Sequence, residues 1–193
     1  MRRKPILLTL LTLLLFSCGG TTSSASALTS STQRFAPGQG SWIVNYSSIP
    51  ETTGEDYNLD FDFATVSGTG VTHGFHGNNL RRGRGSYHGV SVDKTIEMKA
   101  GDSYLYSTTA RAVFFRVVVR QIQDEAGKDI TGIPTFYVGE QVGLTGGEKV
   151  EFNVEVIKNQ GIVLCSYLLQ DKAFRMENQT ADPIYLLDLS YPE

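Results

Sequence analysis

The stretch LDFDF at residues 59–63 alternates apolar and charged side chains at every position. Since successive side chains of a β-strand point to opposite faces, this alternation predicts a strand with one buried and one solvated face. The stretch VEFNVEV at residues 150–156 shows the same period of two. Longer apolar runs, at residues 112–120 and 162–169, are rich in β-branched residues and predict central strands.

Further strands, separated by glycine-containing turns, are predicted along the rest of the chain. They cover residues 41–46, 71–75, 87–92, 103–106, 135–138 and 183–189. Short strands at this spacing are typical of an all-β fold, and we expect a single antiparallel β-sandwich with little helix. A small β-barrel is the alternative. The one helix candidate covers residues 171–178.

The first twenty residues, MRRKPILLTLLTLLLFSCGG, differ from everything that follows. Three basic residues precede an apolar run at residues 6–16, and small residues follow it, as in a secretory signal peptide. The run is too short to cross about 30 Å of hydrocarbon as a helix. The sequence therefore predicts an exported protein.

The residues Leu15-Phe16-Ser17-Cys18 resemble the lipobox of bacterial lipoproteins, although Phe16 is larger than the residue that this family prefers. The resemblance implies cleavage before Cys18 and lipidation of that cysteine, with palmitate among the usual acyl chains. Several acyl chains on one residue suffice for stable membrane anchoring. Gly19, where inner-membrane lipoproteins usually carry Asp, implies the outer membrane. The alternative is an ordinary secretory signal that is cut elsewhere.

The predicted organisation has three parts. Residues 1–17 form the signal peptide, residues 18–40 comprise the lipidated Cys18 and a flexible tether, and residues 41–193 form the β-sandwich domain. The tether is rich in Gly, Ser and Thr and has no apolar period, so it cannot bury enough surface to fold.

Charge and cysteine content narrow the possible functions. Loss of residues 1–17 lowers the Lys and Arg count from 17 to 14 against 20 Asp and Glu, which leaves a net charge of about −6. This acidic, exported chain offers no electrostatic basis for binding nucleic acid. Cys165 lies in an apolar run and, with Cys18 lipidated, has no partner in the chain, so we expect a buried core residue.

The stretch VTHGFHGNNLRRGRGSYHG at residues 71–89 contains all three histidines of the chain. His73, His76 and His88 are the candidate ligands for a zinc ion. However, the strand period places His73 and His76 on opposite faces, and no carboxylate in the stretch offers a general base. We therefore expect neither a metal nor another cofactor.

The same stretch contains Arg81, Arg82 and Arg84 between glycines, which predicts a cationic loop on a hairpin from His73 to His88. Arginine suits carboxylate and phosphate groups, so these three residues are candidates for binding an anion or an acidic partner. The alternative is a solvated hairpin tip.

Two other sets of residues suit carbohydrate chemistry. The carboxylate pairs Asp60/Asp62 and Glu151/Glu155 each fall on one solvated strand face, which favours a surface role over catalysis. Aromatic residues near the start of the domain suggest a sugar-binding platform, or else ordinary strand packing. They are Trp42, Tyr46 and Tyr57.

No hydrolase elbow, phosphate-binding loop or zinc-protease motif is present. We therefore expect a lipid-anchored envelope protein that is not an enzyme and acts as a scaffold or accessory subunit of an outer-membrane assembly. Its expected partners are the membrane, through the anchor, and another envelope protein. The alternatives are a glycan- or anionic-ligand-binding module and a zinc-dependent enzyme.

Overall fold

The computed structural model describes residues 42–68, 70–109 and 114–191. The predicted signal peptide, Cys18 and the tether lie outside these residues. The described residues form fifteen β-strands and two single-turn 3₁₀ helices, Tyr46–Ser48 and Lys158–Gln160. None of the helices in this part of the chain is long and apolar enough to span a membrane.

The strands are numbered in chain order. The first eight are β1 (Trp42–Asn45), β2 (Phe61–Val66), β3 (Thr72–Asn78), β4 (Leu80–Arg82), β5 (Ser86–Tyr87), β6 (Val90–Ser91), β7 (Ile96–Met98) and β8 (Ser103–Ser107). The other seven are β9 (Phe114–Arg120), β10 (Thr135–Gly139), β11 (Glu148–Val150), β12 (Asn153–Ile157), β13 (Ile162–Leu168), β14 (Ala173–Asn178) and β15 (Ile184–Ser190).

Two open antiparallel sheets pack against each other as a sandwich, which confirms the predicted fold class. The seven-stranded sheet has the order β12-β13-β9-β15-β7-β4, with β1 also paired to β15. The six-stranded sheet has the order β11-β10-β14-β8-β3-β2. The strands β5 and β6 form a separate hairpin. Its turn places His88 and Gly89 at positive φ, as a two-residue hairpin turn requires.

The core lies between the two sheets and contains many aromatic side chains. Phe115 of the seven-stranded sheet lies 4.3 Å from Phe174 and 4.9 Å from Phe136, measured between ring centroids. Both of these partners belong to the six-stranded sheet. Cys165 on β13 is completely buried in the same cluster, as predicted. Inward-facing residues of both sheets therefore form one continuous core.

The predicted helix at residues 171–178 is wrong, because Ala173–Asn178 is the strand β14. This strand pairs with β10 on one side and β8 on the other. Phe174 and Met176 point into the core, while Arg175 and Glu177 point outward. Pairing on both sides outweighs the helical preference of residues such as Met, Arg and Glu.

Two other predicted strands are each divided in the structure. The stretch at residues 150–156 forms β11 and β12, which belong to different sheets, because the chain crosses the sandwich at Glu151 and Phe152. The stretch at residues 87–92 forms most of the β5–β6 hairpin. The short strands β4 and β7 were not predicted at all. The single residue Asn79, at φ 53°, carries the chain from β3 in one sheet to β4 in the other.

Candidate functional site

A continuous row of polar and aromatic residues crosses the outer face of the six-stranded sheet. The strand register places one such residue opposite the next in five successive strands. In sheet order they are Asp62, His76, Tyr106, Arg175 and Tyr137. Tyr104 and Glu177 occupy the adjacent row on the same face. We call this surface, from Asp62 to Tyr137 with Tyr104 and Glu177, the tyrosine face.

His76 is the centre of the tyrosine face. Its ring is near-parallel to that of Tyr106, with 4.9 Å between centroids, and to that of Tyr104, at 6.0 Å. Its Nδ1 lies 2.8 Å from Oδ1 of Asp62, and its Nε2 lies 3.8 Å from Oδ1 of Asp60. The side chains of these aspartates are 83% and 72% exposed. Three stacked rings therefore lie beside two carboxylates that remain open to solvent.

Asp60 is held in place before β2 begins. The hydroxyl of Tyr104 donates a 2.8 Å hydrogen bond to Oδ1 of Asp60, and the backbone N–H of Asp60 donates to Oδ1 of Asn78. Asp60 has φ 39°, a left-handed conformation that aspartate tolerates better than most residues. Burial and the hydrogen bond to Asp60 raise the pKa of Tyr104 to about 12. Tyr104 thus remains a neutral donor at physiological pH.

The other end of the tyrosine face is fixed by Arg175. Its guanidinium lies 4.2 Å from the centroid of the Tyr137 ring, and its Nε donates a 2.6 Å hydrogen bond to Glu177. Its Nη1 donates to the carbonyl oxygens of three residues of the neighbouring loop, Val142, Gly143 and Gly146. Arg175 is therefore a buried support for Tyr137, bonded through both Nε and Nη1, and not a free cation.

The three histidines are separated in the structure. His73 and His76 lie on opposite faces of β3, as predicted, because His73 packs edge-on against the buried Tyr191 and His76 faces outward. His88 lies in the β5–β6 turn against Tyr87. Within the described residues, no three His, Cys, Asp or Glu side chains are placed to hold a metal ion.

The predicted hairpin from His73 to His88 is wrong, and two of its three arginines lie in a strand and not in an exposed loop. Arg81 and Arg82 belong to β4, which pairs with β7 in the seven-stranded sheet, whereas His73 belongs to the other sheet. The guanidinium of Arg82 bonds to Glu51 at 2.6 Å and to the carbonyl of Ile49 at 2.7 Å. The segment that precedes β2 covers β4, and this packing makes Arg81 and Arg82 part of the fold.

Arg84 is exposed in the loop that follows β4, as predicted, and it donates to the carbonyl oxygen of Thr52. Arg82 and Arg84 do line a shallow hollow of about 400 Å³. Two carboxylates, Glu51 and Asp93, line it as well, together with Lys94. The hollow therefore mixes both signs of charge, and an anion there would compete with ion pairs that already exist. Anion binding by these arginines stays a prediction.

The suggested aromatic platform near the start of the domain is not assembled as a free surface. The hydroxyl of Tyr57 donates a 2.6 Å hydrogen bond to Glu97, and the Arg81 guanidinium lies 4.4 Å from its ring centroid. Tyr46 lies under Arg82, at 5.8 Å. For Trp42 the structure describes the strand position alone. Both described tyrosines thus pack against structural arginines.

No family model, curated protein or solved structure matches this chain. The function of the candidate site is therefore inferred from its own geometry. Sequence reasoning identified Asp60, Asp62 and His76 as separate features and did not single out Tyr104, Tyr106 or Tyr137. The i, i+2 spacing of Tyr104 and Tyr106 in a predicted strand is the signal that indicates a shared face.

Proposed function

We propose that this protein is a lipid-anchored, non-catalytic accessory protein of the outer membrane, and that the tyrosine face binds a carbohydrate. The observation that carries the proposal is the stack of His76, Tyr104 and Tyr106 beside the exposed carboxylates of Asp60 and Asp62. Aromatic rings offer apolar surface to the C–H faces of a sugar. Carboxylates accept strong hydrogen bonds from its hydroxyl groups.

The arrangement of the two carboxylates favours binding over hydrolysis. A glycosidase places two carboxyl groups on either side of the scissile bond. Asp60 and Asp62 instead contact the same histidine from one end of an open sheet face. The acidic surface favours neutral glycans over polyanionic ones, because like charges repel.

Glycan-array binding of the detergent-solubilised lipoprotein tests this function. We expect binding to at least one class of neutral glycan, and we expect Tyr106→Ala to weaken it at least about tenfold. The matched control is Tyr46→Ala, which removes a half-buried tyrosine from a different surface. Equal binding by the wild type and by Tyr106→Ala, or no binding to any glycan, would contradict the proposal.

The anchor is tested separately. In cell fractionation, Cys18→Ala should move the protein from the membrane fraction to the soluble fraction, because the acyl chains provide the membrane affinity. The intact mass of the wild type should show loss of residues 1–17 and addition of acyl chains. An unmodified, soluble wild-type protein would exclude the anchor. Partners that co-purify from solubilised membranes would identify the assembly that the protein serves.

A further inference from the structure

The strand β12 ends the seven-stranded sheet and has one unpaired edge. All five of its residues pair with β13 in unbroken register, from Asn153 opposite Ser166 to Ile157 opposite Ile162. In the described part of the chain, no strand pairs with its other side. Free backbone N–H and C=O groups along such an edge can pair with another strand.

The apolar side chains of β12 are uncovered even though they point toward the core. Val154 lies opposite Cys165 and Val156 lies opposite Val163, and both partners are fully buried core residues. Residues directly opposite each other share a face of the sheet, so the two valines lie on its inner face. They are nevertheless 44% and 45% exposed. The six-stranded sheet thus leaves the inner side of this edge open.

Common features that prevent edge-to-edge pairing are missing from β12. Its sequence, NVEVI, contains no proline and no lysine, and its register shows no bulge. Its single charged side chain, Glu155, lies on the outer face, opposite Leu164. The edge is therefore straight, apolar on its inner side and free to pair.

We propose that β12 pairs with β12 of a second copy of this chain, in an antiparallel arrangement centred on Val154. The two copies are then related by a two-fold axis perpendicular to the sheet, and inner-face residues must lie opposite inner-face residues. Both conditions are met when the axis passes through residue 154, 155 or 156, which we call the centre of the pairing. A centre at 155 places Glu155 opposite Glu155, which is destabilising. A centre at 156 places Glu155 opposite the apolar Ile157.

The centre at residue 154 pairs residues 153–155 of the two copies, and neither fault occurs among them. It places Val154 opposite Val154 on the inner face, and it places Asn153 opposite Glu155 twice on the outer face. The Asn153 amide can donate a hydrogen bond to the Glu155 carboxylate. The three residues of each β12 that pair with the other span roughly 10 Å, which is short for an interface. The dimer is therefore weak in solution, and the proposed lipid anchors, on which this step rests, raise the effective concentration of the two copies by holding them on one membrane.

Disulfide trapping in native membranes tests the pairing. Val154→Cys is made in a Cys165→Ala background, because Cys165 lies directly opposite residue 154 within one copy. The two introduced thiols then face each other across the axis, at the Cα separation that a disulfide requires. We expect Val154→Cys to form a covalent dimer, with Glu155→Cys much less efficient and Val66→Cys, an exposed valine on another strand, at background.

Each other result overturns the proposal. A dimer yield for Val154→Cys no higher than for Val66→Cys excludes the pairing. A higher yield for Glu155→Cys than for Val154→Cys excludes the register. A cross-link from residue 154 to a different protein shows that the edge has another occupant.

A charge test on the solubilised lipoprotein is independent of cysteine chemistry. Asn153→Lys creates two lysine contacts with Glu155 across the axis, and Asn153→Asp creates two repulsive ones. In sedimentation velocity, we expect the lysine variant to associate several-fold more tightly than the wild type and the aspartate variant several-fold less tightly. Shifts of both variants in the same direction, or no shift in either, would exclude this dimer. Glycan binding does not enter this measurement, so the two proposals fail separately.

Discussion

Arg81 on β4 and Glu97 on the neighbouring strand β7 lie directly opposite each other and form a bidentate ion pair. Nε and Nη2 of Arg81 donate hydrogen bonds of 2.9 and 3.0 Å to the two carboxylate oxygens of Glu97. The Glu97 side chain is only 5% exposed and also accepts from Tyr57. Burial alone would lower the pKa of the Arg81 guanidinium, but its hydrogen bonds to Glu97 and Glu55 raise it.

This pair predicts a large stability cost for Arg81→Ala. Removal of the guanidinium leaves the Glu97 carboxylate buried without its cation, which should lower the free energy of unfolding by about 3–5 kcal/mol. Urea unfolding followed by tryptophan fluorescence measures the change. The control is Glu55→Gln, which removes only the exposed partner of Arg81 and should leave the midpoint nearly unchanged. A marginal effect of Arg81→Ala would show that the pair is dispensable.

Gly83 should not tolerate a methyl group. A Cβ at this position would overlap Oγ1 of Thr95 and would lie 2.5 Å from the carbonyl oxygen of Val92. We expect Gly83→Ala to lower the free energy of unfolding by about 2 kcal/mol, because the crowded atoms belong partly to the backbone. Gly68→Ala is the matched control, since nothing lies within 4 Å of its Cβ. Equal midpoints for the two variants in urea would refute the steric argument.

Cys165 should be inert in the folded protein. Burial raises the pKa of its thiol to about 12, so almost no thiolate exists at neutral pH. A maleimide reagent should label Cys165 only after denaturation. Cys165→Ser should lower the free energy of unfolding by about 1–3 kcal/mol, because it buries a hydroxyl group in the core. Rapid labelling of the native protein would mean that the core opens at β13.

His73 should make stability depend on pH in the acidic range. Burial lowers its pKa from the ordinary value of 6.5, so the unfolded chain binds the proton more readily than the folded one. The stability contributed by neutral His73 is present above pH 6.5 and is lost as the pH falls through the lowered pKa. The melting temperature of His73→Gln should therefore fall less than that of the wild type between about pH 8 and pH 5. Parallel curves would assign the acid sensitivity to other groups.

The fold class could be predicted from the sequence because two local signals mark strands: the period of two, and runs of apolar and β-branched residues bounded by turns. The period of two identified β2 close to its true bounds, and such runs identified β8, β9, β10, β13 and β15. Neither signal could identify β4 or β7, whose three residues are too few to show a pattern. In β7 the pattern is also obscured, because Glu97 is charged yet buried by its pairing with Arg81.

The candidate site could be predicted only in fragments. His76, Tyr106 and Arg175 belong to three separate parts of the chain, and strand pairing alone brings them into one row. Pairing between strands that are distant in sequence leaves no local signal. The same limit explains why Arg81 and Arg82 were predicted in an exposed loop. Their partners Glu51, Glu55 and Glu97 lie 16 or more residues away in the sequence.

The position of β15 at the C-terminal end of the described chain affects when the seven-stranded sheet can assemble during synthesis. Ile184–Ser190 is buried along its whole length and lies between β9 and β7, both of which precede it by many residues. Until residues 184–190 emerge, the two halves of the seven-stranded sheet have no strand to join them. Such long-range pairing makes assembly slow. A chain whose last residues have not yet emerged would therefore keep the sheet in two separate parts, and a chain cut before Ile184 would lose a central strand and not an edge strand.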